Sequence, residues 1–151
     1  MVKPTAKQII DLLPYSAPFL FVDQIEMIDE NGVTGSFTFN PELDFYKGHF
    51  KDKPITPGVI LTETMAQIGL VCLGIFLLSG EENEFAGQVA MTSSNVEFLR
   101  PVFPGERVTV TSEKVYFRFK KLKCKIRMQN EAGEKICTGE LAGMFIKEAN
   151  G

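Results

Sequence analysis

Tryptophan is absent from this chain of 151 residues, histidine occurs once and cysteine three times. Cys72, Cys124 and Cys137 have no metal-ligand spacing, and their odd number argues against a disulfide framework. No metal centre or cofactor is therefore expected, and a reduced, cytoplasmic compartment is the simplest account. Excess charge is lacking too, since a formal −3 gives no general reason to expect nucleic acid as a partner. The start, M-V-K-P-T-A-K-Q-I-I-D, has no continuous apolar run and does not read as a secretory signal. The longest uncharged apolar stretch, Ile68 to Leu78, falls short of the roughly 20 residues that a membrane span needs. Extending it backwards soon meets Gln67 and Glu63, so it predicts a buried core helix and no membrane span. Internal repeats and low-complexity tracts are missing as well.

What is present suits one globular domain over residues 1–151. The chain is 44% apolar and 23% charged, ordinary values for a folded protein. Thr5 before A-K-Q-I-I-D-L-L predicts a capped helix ending ahead of Pro14. F-L-F-V-D-Q-I-E-M-I reads as a strand. Asn31-Gly32 reads as a hairpin turn in which both residues accept positive φ. Val33, Gly35, Phe37 and Phe39 then alternate with polar positions. Thr56 is placed to cap a helix with Pro57 at its first position, and that helix should end in solvent at 80–84. The remainder reads as strands from 86 to about 146. Leu122, Cys124, Ile126 and Met128 alternate cleanly with charged neighbours, and a change of apolar parity near Lys120 marks a turn or bulge. The expected class is α+β, one long central helix wrapped by a mostly antiparallel sheet.

Two groups carry chemistry. Taken alone, a single histidine is more often structural, and a helix carboxylate is more often solvated. Glu63, however, falls on the second turn of a helix otherwise built for burial. A buried ionised carboxylate without a partner costs several kcal/mol, so the group must be paired, protonated or aimed into a polar pocket. Burial also raises a carboxyl pKa and suits Glu63 to act as a general acid. An imidazole, which ordinarily titrates near neutrality, suits His49 to act as the base. Gln67, one turn beyond Glu63, either orients it or is a buried amide satisfied by backbone. The first-turn N–H groups of Gly58 and Val59 point outward with the positive end of the helix dipole, where they can hold negative charge on a carbonyl oxygen. Base, acid and oxyanion donors together describe removal of a proton beside a carbonyl with loss of a group one carbon further on.

L-P-Y-S-A-P-F-L-F-V-D at 13–23, G-H-F-K-D-K-P-I-T-P-G-V-I-L-T-E-T-M-A-Q at 48–67 and F-L-R-P-V-F-P-G-E at 98–106 together resemble the FabZ-type 3-hydroxyacyl-[acyl-carrier-protein] dehydratases, which have a hotdog fold. The resemblance implies a lyase of fatty-acid or related lipid biosynthesis acting on an acyl thioester carried on the phosphopantetheine of acyl carrier protein. His49 would remove the C2 proton, Glu63 would protonate the departing hydroxyl, and the Gly58 amide would hold the thioester oxygen. Val59, Gln67, Pro57 and Phe50 would support them. It also implies a homodimer in which His49 and Glu63 meet across the interface, with further assembly as trimers of dimers.

The chain departs from the family in Tyr15-Ser16-Ala17, where His-Arg-Tyr is usual, and in Glu97, where a basic residue is common. Lys51 replaces a usual proline and predicts a less constrained loop. The basic series Arg118, Lys120, Lys121, Lys123, Lys125 and Arg127 either steers an acidic carrier protein or lines a solvated face, with the solvated face the favoured reading because strand alternation alone accounts for several members. Phe85 and Met91 either line an acyl tunnel or pack in the core, with packing the favoured reading. A hotdog thioesterase and a non-catalytic acyl-binding module are the alternative functions.

Overall fold

Thr5 opens the first helix as the sequence predicts. Its hydroxyl accepts from the Gln8 N–H, and the Gln8 side chain accepts from the Thr5 N–H. This reciprocal cap satisfies two donors that a helix start otherwise leaves to water. The helix, α1 (Ala6–Leu12), buries Ile9 against the core. The computed structural model describes residues 3–79 and 88–146. The solvent-facing helix end expected at 80–84, and Phe85, lie outside the described residues.

Six strands, β1 (Gln24–Asp29), β2 (Gly32–Thr38), β3 (Gln88–Phe98), β4 (Arg107–Arg118), β5 (Lys121–Asn130) and β6 (Lys135–Ile146), form one sheet. Their order is β1-β2-β4-β5-β6-β3, and every pairing is antiparallel. Period-two alternation builds the inner face: Leu122, Cys124, Ile126 and Met128 of β5 are all buried. The parity change falls at a bulge between Lys114 and Tyr116 and a two-residue turn at Phe119-Lys120, both at positive φ.

Two expectations need correcting. Residues 19–23 are not strand, because the Phe19 carbonyl and the Phe21 N–H bond to the side chain of Gln67 rather than to a neighbouring strand. The β1–β2 hairpin forms without positive φ at Asn31 or Gly32. Asp29 Oδ1 accepts from both of their N–H groups instead. Gly32 belongs to β2, where a β-carbon would strike the Ser112 carbonyl of β4.

The long helix, α2 (Gly58–Leu78), fills the hollow of the sheet. It is long and apolar enough to cross a membrane by length and composition, yet 78% of that window is buried within the protein. It is the core helix that the sequence predicts. From Gln67 to Phe76 every residue is buried, and each fully buried Leu or Ile contributes about 1.5–3 kcal/mol. Close approach depends on two glycines: a β-carbon at Gly69 would lie 2.5 Å from Ile126, and one at Gly74 would overlap the Phe145 ring. Between Gln67 and Cys72 the helix widens to a π turn. Such widening disturbs the backbone ladder, and the buried Ser112 hydroxyl donates to the Gly69 carbonyl at 2.9 Å.

Candidate active site

Pro57 is the N-cap of α2, and its carbonyl accepts from the N–H groups of Ile60 and Leu61 at 2.9 and 3.2 Å. Gly58 and Val59 are thus the first two helical residues, and their N–H groups have no acceptor within the helix. Thr56 does not cap the helix, and Pro57 stands one position earlier than expected. The Thr56 hydroxyl is drawn away to the Tyr46 hydroxyl at 2.5 Å, while its N–H donates to the Val102 carbonyl at 2.9 Å. These bonds tie the loop before α2 to the short turn Asp44–Lys47 and to the segment ahead of β4.

Glu63 stands half-buried on the second turn. Burial pushes its carboxyl above the ordinary 4.5, and a bond from Gln67 opposes part of that shift by favouring the ionised form. Gln67 is wholly buried and fully bonded. Its Nε2 donates to Glu63 Oε2 at 3.0 Å and to the Phe19 carbonyl at 2.9 Å, and its Oε1 accepts from the Phe21 N–H at 2.8 Å. Both readings of Gln67 therefore hold: one amide satisfies backbone and orients the carboxyl.

Glu63 lines two pockets. The outer one, about 660 Å³, lies between the start of α2 and β3, with Gly58, Val59 and Thr62 on one side and Ser94, Val96 and Phe98 on the other. The inner one, about 230 Å³, runs between α2 and the β3–β6 pair and is walled by Tyr15, Phe19, Ala66, Leu70 and Val89. Met91 lines both. At 43% exposure it is no core residue, because β3 is the outermost strand and nothing among the described residues covers it. Thr62, Ser94 and Tyr15 were not expected as lining groups. Tyr15 had one sequence signal, its departure from the family pattern.

His49 is half-buried beyond the Asp44–Lys47 turn, with its ring stacked on Phe50 at 4.2 Å. Its Nδ1 lies 3.0 Å from the Ile55 carbonyl. A carbonyl only accepts, so Nδ1 carries the hydrogen and Nε2 of the neutral ring offers a lone pair. The loop bearing Lys51 is closed by reciprocal bonds between the N–H and carbonyl groups of Phe50 and Lys53, at 3.0 and 3.1 Å. His49 is not among the residues lining either pocket. One copy of the chain thus gathers Glu63, Gln67, Gly58 and Val59, and leaves His49 outside. The three cysteines are all buried and free, and burial pushes their thiols up, Cys124 to about 11 and Cys137 to about 12. None is a poised nucleophile.

Residues 13–139 match the family model described as a FabA-like domain. Proteins called 3-hydroxyacyl-[acyl-carrier-protein] dehydratase FabZ are similar along most of the chain. The one from Sinorhizobium fredii is 33% identical over 146 residues, 94% of this chain and 90% of its own length. That from Bacillus licheniformis is 34% identical over 141 residues, covering 90% and 92%. Among solved structures, the dehydratase heterocomplex ApeI:P from Xenorhabdus doucetiae superposes with a TM-score of 0.77 at 17% identity, over 92% of this chain and 91% of that one. A mutant thioesterase PA1618 from Pseudomonas aeruginosa gives 0.66 at 16% identity, over 93% of each. These two likenesses concern the fold alone, which is the expected hotdog arrangement. On the family model and on relatives matched nearly end to end, this chain belongs to the FabA-like family.

Proposed function

We propose that this chain removes water from a (3R)-3-hydroxyacyl thioester on acyl carrier protein and gives the trans-2-enoyl thioester. His49 Nε2 takes the C2 proton. The C2–H electrons form the C2=C3 double bond as the C3–O bond breaks, and Glu63 protonates the leaving hydroxyl so that it departs as water. The Gly58 N–H, supported by that of Val59, holds negative charge on the thioester oxygen. One observation carries this reading: a carboxyl raised by burial stands at the junction of two pockets, beside two N–H groups without intrahelical acceptors.

The base comes from a second copy. β3 is an edge strand with most of its residues exposed, and Val59, Met91, Phe98, Leu99 and Phe103 lie uncovered around it. An 11-residue edge with its pairing groups open, ringed by those apolar side chains, invites pairing with its own counterpart, and dimerisation would carry His49 of one copy to the outer pocket of the other. Trimers of such dimers are the expected larger assembly. Acidic carrier protein docks at the β4–β5 turn, where Arg118, Lys120 and Lys121 flank Phe119, which is 91% exposed. Further along, Lys123 is bridged to Glu140 at 3.5 Å, and Lys125 sits between Glu113 and Glu140, so that stretch offers less net charge. The working compartment is the cytoplasm.

The test incubates the protein with 3-hydroxyacyl-carrier protein and identifies products by mass spectrometry, with Glu63→Gln alongside. Loss of one water from the intact thioester, abolished in the variant, is the expected result. Free acid would assign a thioesterase. Acyl binding with no turnover would assign a binding module.

A further inference from the structure

Tyr15 lines the inner pocket and not the outer one. It follows α1 and is held by packing. Its ring lies 6.4 Å from that of Phe19, and the contacts continue through Phe21 and Phe37 to Phe39, which is wholly buried. A side chain at the end of such a run presents its hydroxyl at a fixed place. That hydroxyl has no hydrogen-bond partner among the described residues. Burial first, and the Glu63 charge second, push the phenol up to about 12, so it stays a neutral donor at any working pH. Apart from Glu63, the other lining side chains are apolar, Phe19, Ala66, Leu70, Val71, Val89 and Met91, with Gly143 completing the wall.

An apolar pocket with one unused donor discriminates between ligands. A plain hydrocarbon tail would displace water from the phenol and leave it unpaired, whereas a tail bearing an oxygen would pair with it. We propose that Tyr15 determines tail specificity: its hydroxyl donates to an oxygen carried on the acyl tail beyond C3, so the chain prefers 3-hydroxyacyl thioesters with an oxygenated tail. The inference rests on the dehydration reading, in which C3 meets Glu63 and the carbons beyond it enter the inner pocket. Size agrees. A dry 150 Å³ cavity accepts benzene, so the 230 Å³ here takes a tail of roughly nine carbons.

The experiment measures kcat/KM for 3-hydroxyoctanoyl-carrier protein and for analogues bearing one further hydroxyl or keto oxygen at C5, C6 or C7. Wild type and Tyr15→Phe are compared, with a melting curve for each. Wild type should prefer the best oxygenated tail by roughly tenfold. Tyr15→Phe, with the ring retained and the fold unchanged in melting temperature, should bring the preference within about twofold. Equal rates across the panel in wild type, or a preference that survives in Tyr15→Phe, overturn the assignment and leave the dehydration reading standing. Wild type that dehydrates no member of the panel overturns both.

Discussion

The two halves of α2 belong to one continuous helix and do different work. Gly58–Ala66 keeps two N–H groups without intrahelical acceptors, an exposed Val59 and a half-buried carboxyl. Gln67–Leu78 presents almost nothing but buried carbon, with glycine where the sheet comes too close for a β-carbon. The groups proposed to act on substrate stand where the helix emerges from the core, and the apolar burial where it is enclosed. Substitutions in the first half should therefore damage turnover more than folding, and those in the second the reverse.

The largest effect expected is on turnover. Glu63→Gln should lower kcat about 10²–10⁴-fold without lowering stability. Because the folded pKa is raised, the native state binds more protons than the unfolded one from pH 4.5 upward through the folded value. Native stability is thus lost as pH rises through that window. Denaturant titrations should find Glu63→Gln more stable than wild type above the window, with the difference vanishing below pH 4.5.

In the enclosed half, Leu73→Ala should cost about 2–5 kcal/mol in the same titrations, with kcat largely retained in the fraction still folded. Gln67 is where the division should fail. Gln67→Leu strands the Phe19 carbonyl and the Phe21 N–H, for about 1–3 kcal/mol each. It also removes the bond that favours ionised Glu63, so the alkaline limb of the pH–rate profile should move to higher pH. An unmoved limb would mean that Gln67 serves the fold alone. Ser112→Ala should cost about 0.5–1.5 kcal/mol by removing the bond to the Gly69 carbonyl. An effect of the same size belongs to Thr5→Ala, about 1 kcal/mol from the lost cap, with turnover unchanged.

Much of this division was legible in the sequence. The alternation in β5, the cap at Thr5 and the apolar circumference after Ile68 are local patterns, and each folds as its period dictates. Glu63 stood out because a carboxyl interrupted such a pattern. What escaped depends on partners distant along the chain. Residues 19–23 have a strand's composition, yet Phe19 and Phe21 bond to a side chain more than 40 positions away. Thr56 has a cap's chemistry, but Tyr46 claims its hydroxyl. Tyr15 enters the pocket through an aromatic run that no local period announces.

The π turn at Gln67–Cys72 also sets a rule of phase. An α-helix advances about 100° per residue, so a wider turn shifts the angular position of everything on one side relative to the other. Glu63 lies before that shift, and the residues seated on Ile126 and Phe145 lie within or after it. The π turn takes up one residue more than an α turn, so the residues before it stand about 100° out of the phase that an unbroken α-helix of the same sequence would give them. Were 67–72 to wind as ordinary α-helix with every residue kept and the buried glycines in their seats, the amino-terminal half would turn like a key, and Glu63 would leave the junction of the two pockets.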